Sequence, residues 1–172
     1  MRMDPEGQIS AYDLINSLSE YEISSILRNY GQERWHQRIA RYVVAERIKN
    51  PISTTQELSR VVLKAVPKQR QHTRIHPATR TFQAFRIAVN RELESIEMAV
   101  EKCIHALKPS GRLGIISFHS LEDKIVKEKF KKLNQAGILN IITKKPLRPT
   151  EEEVQRNSRC RSARFRVAER VS

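Results

Sequence analysis

The sequence predicts an α/β protein with a helical first part and a second part that contains a sheet. The stretch 113–118 (Leu-Gly-Ile-Ile-Ser-Phe) is short and apolar and follows the helix-stopping residues Pro109 and Gly111, so it predicts a strand. Its apolar residues fall at both parities, which is typical of a parallel-sheet strand buried on both faces. Ser120 stands at a capping position before an apolar stripe that ends at Phe130, so a helix is predicted directly after the strand.

The part before this strand is predicted to be a series of helices. Ser10 is expected to cap the first helix, and Ser19 is expected to cap a second that Gly31 closes. Apolar residues at three- and four-residue spacing predict further helices at 33–49, 57–66 and 79–107, the last with a break near Asn90. Residues 67–76 are polar and basic, and we take this connector as the boundary between a helical domain, 1–78, and an α/β domain, 79–172.

The second domain is predicted to contain too few strands to complete its sheet. After the helix that follows residue 120, only 138–143 and 163–171 have strand patterns, and the charges of the last segment predict an edge strand. A strand buried on two faces needs neighbours at both edges and helices on both sides. We therefore expect that either a second copy or another segment supplies the rest of the sheet.

The charge of the chain favours a polyanionic partner. Its formal net charge of +13 fits nucleic acid, through phosphate contacts and counterion release, although a solubilising surface would also produce it. The two cysteines form no Cys-x-x-Cys pattern, so we predict a reducing compartment and no metal site. No apolar run is long enough for a membrane span and the start is too polar for a signal peptide, so a cytoplasmic protein is predicted.

Four stretches of the sequence resemble one family. They are 1–4 (MRMD), 76–93 (HPATRTFQAFRIAVNREL), 117–123 (SFHSLED) and 157–163 (NSRCRSA), and they occur in the family's order and at comparable spacing. The chain thereby resembles the S-adenosylmethionine-dependent 16S ribosomal RNA (cytosine-N4)-methyltransferases over essentially its whole length. It departs from the usual family pattern at Ser158 and Cys160, where Pro and Ser are the common residues.

The resemblance implies a Rossmann-like methyltransferase sheet interrupted by an all-helical, substrate-recognising insert. Residues 1–78 would be the insert and 79–172 the second half of the catalytic domain. The implied cofactor is S-adenosylmethionine, but the Gly-rich loop that holds it in the family is absent, since the chain has only five glycines and no Gly-x-Gly. We therefore expect a truncated enzyme that is inactive alone. The alternatives are a non-enzymatic RNA-binding module and one half of a split methyltransferase.

The implied substrate is ribosomal RNA of the small subunit, and the partners left open are a second copy and a separate N-terminal half. The carboxyl end of the central strand is where α/β proteins place their chemistry. We expect Ser117 and His119 to contribute to catalysis there, His119 as an orienting group, because the amine can lose its proton after methyl transfer without a general base. Phe118 is expected either to stack on the base or to belong to the core, and Ser120 either to contact RNA or to cap the helix.

The remaining predicted RNA contacts lie on basic surfaces before the strand. Arg80 and Arg86 are alternatively expected to pair with the acids at 122 and 123 and so tie the long helix to the turn. The connector 67–76 is alternatively a plain surface loop. The basic face of the predicted helix 33–49, which carries Arg38 and Arg41, is alternatively just solvated. The predicted RNA-binding residues of this group are Arg38, Arg41, Lys68, Arg70, Arg74, His76, Arg80, Gln83 and Arg86.

Overall fold

A computed structural model describes residues 1–4, 6–7, 9–68 and 75–171. The chain divides into two compact units, Met1–Glu92 and Leu93–Ser172, which we call the helical unit and the sheet unit. The division follows Glu92 rather than residue 78, because the first helix after the connector packs into the core of the helical unit. In the described residues no helix is long and apolar enough to cross a membrane.

Among its described residues the helical unit contains five complete helices, three of which begin at a side-chain cap. Side-chain caps at Ser10, Ser19 and Thr54 each form a reciprocal capping box with an acidic residue three positions later. The caps at Ser10 and Ser19 were predicted and are confirmed. The helices are α1 (Ala11–Ser17), α2 (Glu20–Asn29), α3 (His36–Arg47), α4 (Thr55–Ala65) and α5 (Thr79–Asn90).

The start of α3 differs from the prediction. The helix begins at His36 instead of residue 33, because the Glu33 carboxylate accepts a hydrogen bond from the backbone N–H of Trp35 (3.0 Å) and the chain turns there. The apolar faces of the five helices meet in one core, in which Phe85, Ile39 and Leu27 are fully buried.

The long apolar pattern from residue 79 is interrupted as predicted. α5 ends at Asn90, Arg91 adopts a left-handed conformation (φ 49°), and α6 (Glu92–Ala106) begins immediately afterwards. A non-glycine residue at positive φ costs about 1–2 kcal/mol, so the break is held by its surroundings. Arg86 contributes to this, since it pairs with Glu92 across the break (2.8 Å).

The sheet unit contains a three-stranded antiparallel sheet in the order β1-β3-β2. The strands are β1 (Arg112–Ser117), β2 (Leu139–Ile141) and β3 (Arg164–Arg170), with α7 (Ser120–Gln135) after β1, and α8 (Glu151–Arg156) and a 3₁₀ helix (Ser158–Ser162) before β3. Arg112 lies opposite Glu169 and Ser117 opposite Arg164. One face packs on α6 and α7 around Ile104, Val126 and Phe130.

Two predictions about this sheet are wrong. The final strand, β3, is central rather than at an edge, because its charges have partners: Arg166 and Arg164 pair with Asp123, and Arg170 donates to the carbonyl oxygens of His105 and Leu107. The predicted two-faced burial of β1 in a parallel sheet is also wrong within the described residues. Its pairing is antiparallel, and Ile116 on the second face is 56% exposed.

The first strand of the sheet unit has an open side. Within the described residues β1 is paired with β3 along one edge, and no strand is paired along its other edge. Leu113 and Ile115 face the core, whereas Gly114 and Ile116 face outward and are exposed. β1 therefore offers both an unpaired row of backbone groups and an uncovered apolar face.

Candidate functional site

The turn between β1 and α7 is organised by one carboxylate. Glu122 accepts hydrogen bonds from the backbone N–H groups of Phe118 (2.7 Å) and His119 (3.1 Å). In return, Nδ1 of His119 accepts from the Glu122 backbone N–H (3.3 Å), which makes His119 the N-cap of α7. The prediction that Ser120 caps this helix is therefore wrong by one position, and Ser120 is its first residue.

The imidazole of His119 takes part in the helix cap and lies beside the Glu122 carboxylate. Because Nδ1 accepts a hydrogen bond, the neutral ring carries its proton on Nε2, which lies 3.2 Å from the Glu122 carboxylate. The side chain of His119 is only 13% exposed. This geometry suits a group that fixes the turn, and a contribution of His119 to catalysis stays a prediction.

The two residues before His119 have opposite surroundings. Ser117 is buried, and its hydroxyl donates to the carbonyl oxygen of Arg164 on the neighbouring strand (3.3 Å). Phe118 is 54% exposed, so the alternative that it belongs to the core is wrong. At the end of β1 the accessible group is thus an aromatic ring, while the hydroxyl of the predicted catalytic Ser117 is turned into the sheet.

A buried ion network anchors the same turn to β3. Asp123 accepts from Nε of Arg166 (2.7 Å) and from Nη1 of Arg164 (3.1 Å). Burial alone would raise the pKa of Asp123, but the hydrogen bonds and charges of Arg166 and then Arg164 together outweigh it, so the pKa lies below its ordinary value. The 117–123 motif therefore ends on the residue that joins α7 to the central strand, and the 157–163 motif is followed by the two arginines that bind it.

The helical unit has a cleft of about 330 Å³ beside the starts of α3 and α5. Its apolar walls are Trp35, Val66, Ile75 and Pro77, and its polar groups are Glu33, Arg34, His76 and Arg80. Such a mixture of apolar walls and a few convergent polar groups is typical of a small-molecule or nucleotide site. We call it the Trp35 cleft.

Two of the predicted RNA-binding residues lie in the Trp35 cleft. His76 and Arg80 are both exposed; Nδ1 of His76 accepts from the Ala78 N–H (3.1 Å), and Arg80 donates to the Gln32 carbonyl oxygen (3.3 Å). Gln83 instead donates to the Tyr30 carbonyl oxygen (3.4 Å).

The other predicted basic contacts do not line the Trp35 cleft. Arg86 pairs with Glu92, and Arg80 donates to the Gln32 carbonyl oxygen, while the alternative that these arginines pair with acids of the β1–α7 turn stays a prediction. Arg38 lies over the Tyr42 ring at 5.7 Å, and the exposed Arg41 is 3.7 Å from Glu20. The remaining predicted positions are Lys68, which is exposed, and Arg70 and Arg74, which lie outside the described residues.

Six of the eight cleft residues were not among the predicted site residues, and three of these six are consecutive: Glu33, Arg34 and Trp35. Their signal in the sequence was an arginine beside the chain's single tryptophan at a helix start. Helical periodicity places Arg34 on the basic face of the predicted helix 33–49 and Trp35 on its apolar stripe. In the structure the Arg34 guanidinium lies 5.5 Å from the centre of the Trp35 ring, a cation–π contact that a helical-periodicity argument does not anticipate.

The fold and the strand–turn–helix unit define an α/β protein with an appended helical unit. Residues 1–171 match the model of the MraW methylase family, and the chain belongs to that family. The match covers both units, so the helical unit is part of the family's sequence pattern.

Curated relatives carry the name ribosomal RNA small subunit methyltransferase H. The protein of Sulfurihydrogenibium sp. (strain YO3AOP1) is 46% identical over 99% of this chain and 58% of its own length. For Sulfurihydrogenibium azorense the values are 47%, 99% and 58%, and for Caldicellulosiruptor saccharolyticus 47%, 99% and 60%. The chain thus spans about three fifths of the length of these relatives.

Proposed function

We propose that the chain is the helical and C-terminal part of an S-adenosylmethionine-dependent methyltransferase that modifies the N4 amine of a cytidine in small-subunit ribosomal RNA. The observation that carries this proposal is the extent of the match, 46–47% identity across 99% of the chain to relatives named ribosomal RNA small subunit methyltransferase H. In this proposal residues 1–78 form the inserted recognition domain, and 79–172 form the second half of a Rossmann-like catalytic domain.

Presentation of the target base is the task that the end of β1 supports best. A base must leave its stack or come from single-stranded RNA before its amine is reachable, and an exposed aromatic ring stabilises the unstacked form. Phe118 is such a ring, held on a turn that Glu122 and His119 fix. Ser117 and His119 then act by setting the position of Phe118, and Ser120 is placed beside it to contact RNA.

The β1–α7 turn does not fit the methyl donor. The amides of the β1–α7 turn, which in a cofactor-binding turn would face the ligand, are occupied by the Glu122 carboxylate. The turn carries phenylalanine and histidine where a cofactor loop would have glycines. The donor is therefore assigned to a segment outside residues 1–172.

The open side of β1 is the place proposed for that segment. An additional strand would satisfy the unpaired backbone groups of β1, and the elements connected to it would cover Ile116. The same edge can accept a second copy of the chain. Light scattering distinguishes the two, because a second copy predicts a dimer of the isolated chain, whereas a cofactor-binding segment predicts a monomer that the segment binds.

A fusion tests the proposed function. The residues that precede the matched region in the Sulfurihydrogenibium azorense relative are joined ahead of Met1, and the fusion is incubated with undermodified small ribosomal subunits and methyl-labelled S-adenosylmethionine. We expect label in a cytidine that nucleoside mass spectrometry identifies as N4-methylated. Absence of label from the fusion, on subunits that the intact relative modifies, contradicts the proposal.

A second candidate function is a non-enzymatic RNA-binding module. The net charge of +13 and the basic residues of the Trp35 cleft favour it, since positive charge binds RNA without any cofactor. It predicts RNA affinity that falls steeply as salt rises, together with an inactive fusion. RNA affinity that is absent, or that does not respond to salt, removes this candidate.

A further inference from the structure

The Trp35 cleft is a built site within the helical unit, and the proposed methyltransferase function does not assign it a role. We infer that it binds one unstacked nucleotide of single-stranded RNA and favours bases that carry an amino group over uracil. The inference rests on the proposed RNA substrate, but it uses only residues of Met1–Glu92.

The size and walls of the cleft suit one nucleotide. Its volume of about 330 Å³ lies at the lower end of the range of about 300–1,000 Å³ for ligand sites, which leaves room for a base with its sugar but not for several stacked bases. Trp35, Val66, Ile75 and Pro77 provide apolar surface for the faces of the base. An unstacked base loses its stacking partners and regains apolar contact on such walls.

Trp35 and Arg34 form the stacking element. The guanidinium of Arg34 lies over the indole at 5.5 Å, and both planar groups stack on bases in RNA-binding proteins. Among the residues that the structure describes, no carboxylate pairs with Arg34 within salt-bridge distance. The Arg34 side chain is exposed, so it can shift from the ring to the sugar-phosphate backbone of a bound nucleotide.

Glu33 supplies the selectivity for the base. The residue is only 7% exposed yet lines the cleft, and Oε1 of its carboxylate accepts the N–H of Trp35 (3.0 Å). An ionised carboxylate only accepts hydrogen bonds, so it favours a base edge with an amino group, as in the pairing of glutamate with cytosine N4. Uracil presents two carbonyl oxygens and has only one N–H to offer.

His76 and Arg80 complete the cleft on the side where the sugar-phosphate backbone of the RNA would lie. Because Nδ1 of His76 accepts from Ala78, its neutral ring presents an N–H at Nε2, and Arg80 adds an exposed positive charge. The first turn of α5, in which Arg80 lies, contains no acidic residue. These groups suit a phosphate oxygen.

The fluorescence of the single tryptophan tests this directly, because stacking of a base on Trp35 quenches its emission. Short oligocytidylate and oligouridylate are titrated into the whole chain, and anisotropy of labelled RNA measures total binding in parallel. We expect saturable quenching by oligocytidylate at concentrations about tenfold lower than by oligouridylate.

The variants separate the parts of the cleft. Glu33→Gln keeps an oxygen for the Trp35 N–H but adds a donor, and we expect it to abolish most of the cytidine preference. Arg34→Gln and Arg80→Gln are each expected to weaken both oligonucleotides several-fold and to lower the salt slope by about 0.7. Arg60→Gln removes the same charge from the same unit outside the cleft, and we expect it to leave the quenching curve unchanged.

The outcomes separate this inference from the proposed function. Binding of RNA by anisotropy with unchanged Trp35 emission, or equal effects of Arg60→Gln and the cleft variants, overturns the inference but leaves methylation by the fusion unaffected. Equal quenching by both oligonucleotides overturns the assigned role of Glu33. An inactive fusion with intact cytidine-selective quenching contradicts the proposed function and supports the inference.

Discussion

At the scale of single residues, Glu122 is the one that the β1–α7 turn depends on most. Its carboxylate accepts hydrogen bonds from two backbone N–H groups, and its own backbone N–H donates to the capping side chain of His119. We expect Glu122→Ala to destabilise the sheet unit by about 1–2 kcal/mol, the usual cost of losing a helix cap. Hydrogen exchange of the β1 and β3 amides measures this, because Trp35 and all four tyrosines lie in the helical unit.

A matched control lies on the same helix. Glu128 is 57% exposed and its contact with Lys124 is long (3.9 Å), so Glu128→Ala should change stability by less than about 0.5 kcal/mol. If Glu122→Ala and Glu128→Ala lose the same amount of hydrogen-exchange protection, the carboxylate of Glu122 does not hold the turn.

Asp123 gives the sheet unit a dependence on acid pH. Because the pKa of Asp123 is lowered below 3.8 in the folded chain, its stabilising contribution is fully present above that value and is lost as pH falls through the folded-state pKa. Asp123→Asn leaves Arg166 buried without a charged partner and should cost about 3–5 kcal/mol near neutral pH. In urea unfolding, the loss of stability on acidification should therefore be smaller in this variant.

Three other carboxylates also have lowered pKa values: Asp13, Glu22 and Glu57. They cap helices in the parent chain and in the Asp123→Asn variant alike, so their contributions to the acid dependence cancel when the two proteins are compared. Arg164→Gln retains the Arg166 pair and should cost less than Asp123→Asn. An acid dependence that is the same in the parent chain and in Asp123→Asn would rule out this role for the buried network.

At the scale of elements, Gly31 sets how closely α2 and α5 approach. A Cβ atom there would lie 2.7 Å from the carbonyl oxygen of Arg80 and 2.8 Å from that of Leu27. Gly31→Ala should therefore push the two helices apart and destabilise the helical unit by about 1–3 kcal/mol. Urea unfolding followed by Trp35 fluorescence measures the effect.

Asn29→Ala, at an exposed position on α2, is the control and should change stability by less than about 0.5 kcal/mol. The sequence predicted that glycine closes α2, but the conformation that favours glycine belongs to the next residue, Gln32 (φ 47°). Gly31 is required by contact with a helix distant in sequence, and such contacts are not visible in local patterns.

Because local patterns do not show contacts between residues that are distant in sequence, only some of the elements could be predicted. Helices with a capping box and a regular apolar stripe, such as α1, α2 and α4, follow from local sequence, and so does the break near Asn90. The central place of β3 does not, because its charges are neutralised by Asp123 and by carbonyl oxygens before β1. The Trp35 cleft joins residues near 35 with residues near 76, a pairing that only the folded unit reveals.

At the scale of the whole molecule, the charge of +13 should make RNA binding strongly dependent on salt. For single-stranded RNA the logarithm of the affinity falls by about 0.7 per neutralised phosphate and per tenfold rise in salt. Filter binding measured over a series of salt concentrations should therefore give a plot of log affinity against log salt whose slope is several times about 0.7. A flat series would show that the charge excess only solubilises the chain.

The central claim is that residues 1–172 belong to a methyltransferase whose methyl donor is held by another segment, placed at the open side of β1. Calorimetric titration of S-adenosylmethionine into the isolated chain and into the fusion described above tests it most directly. The account predicts no measurable binding by the chain alone and binding of one equivalent by the fusion. Stoichiometric binding by the chain alone would contradict it.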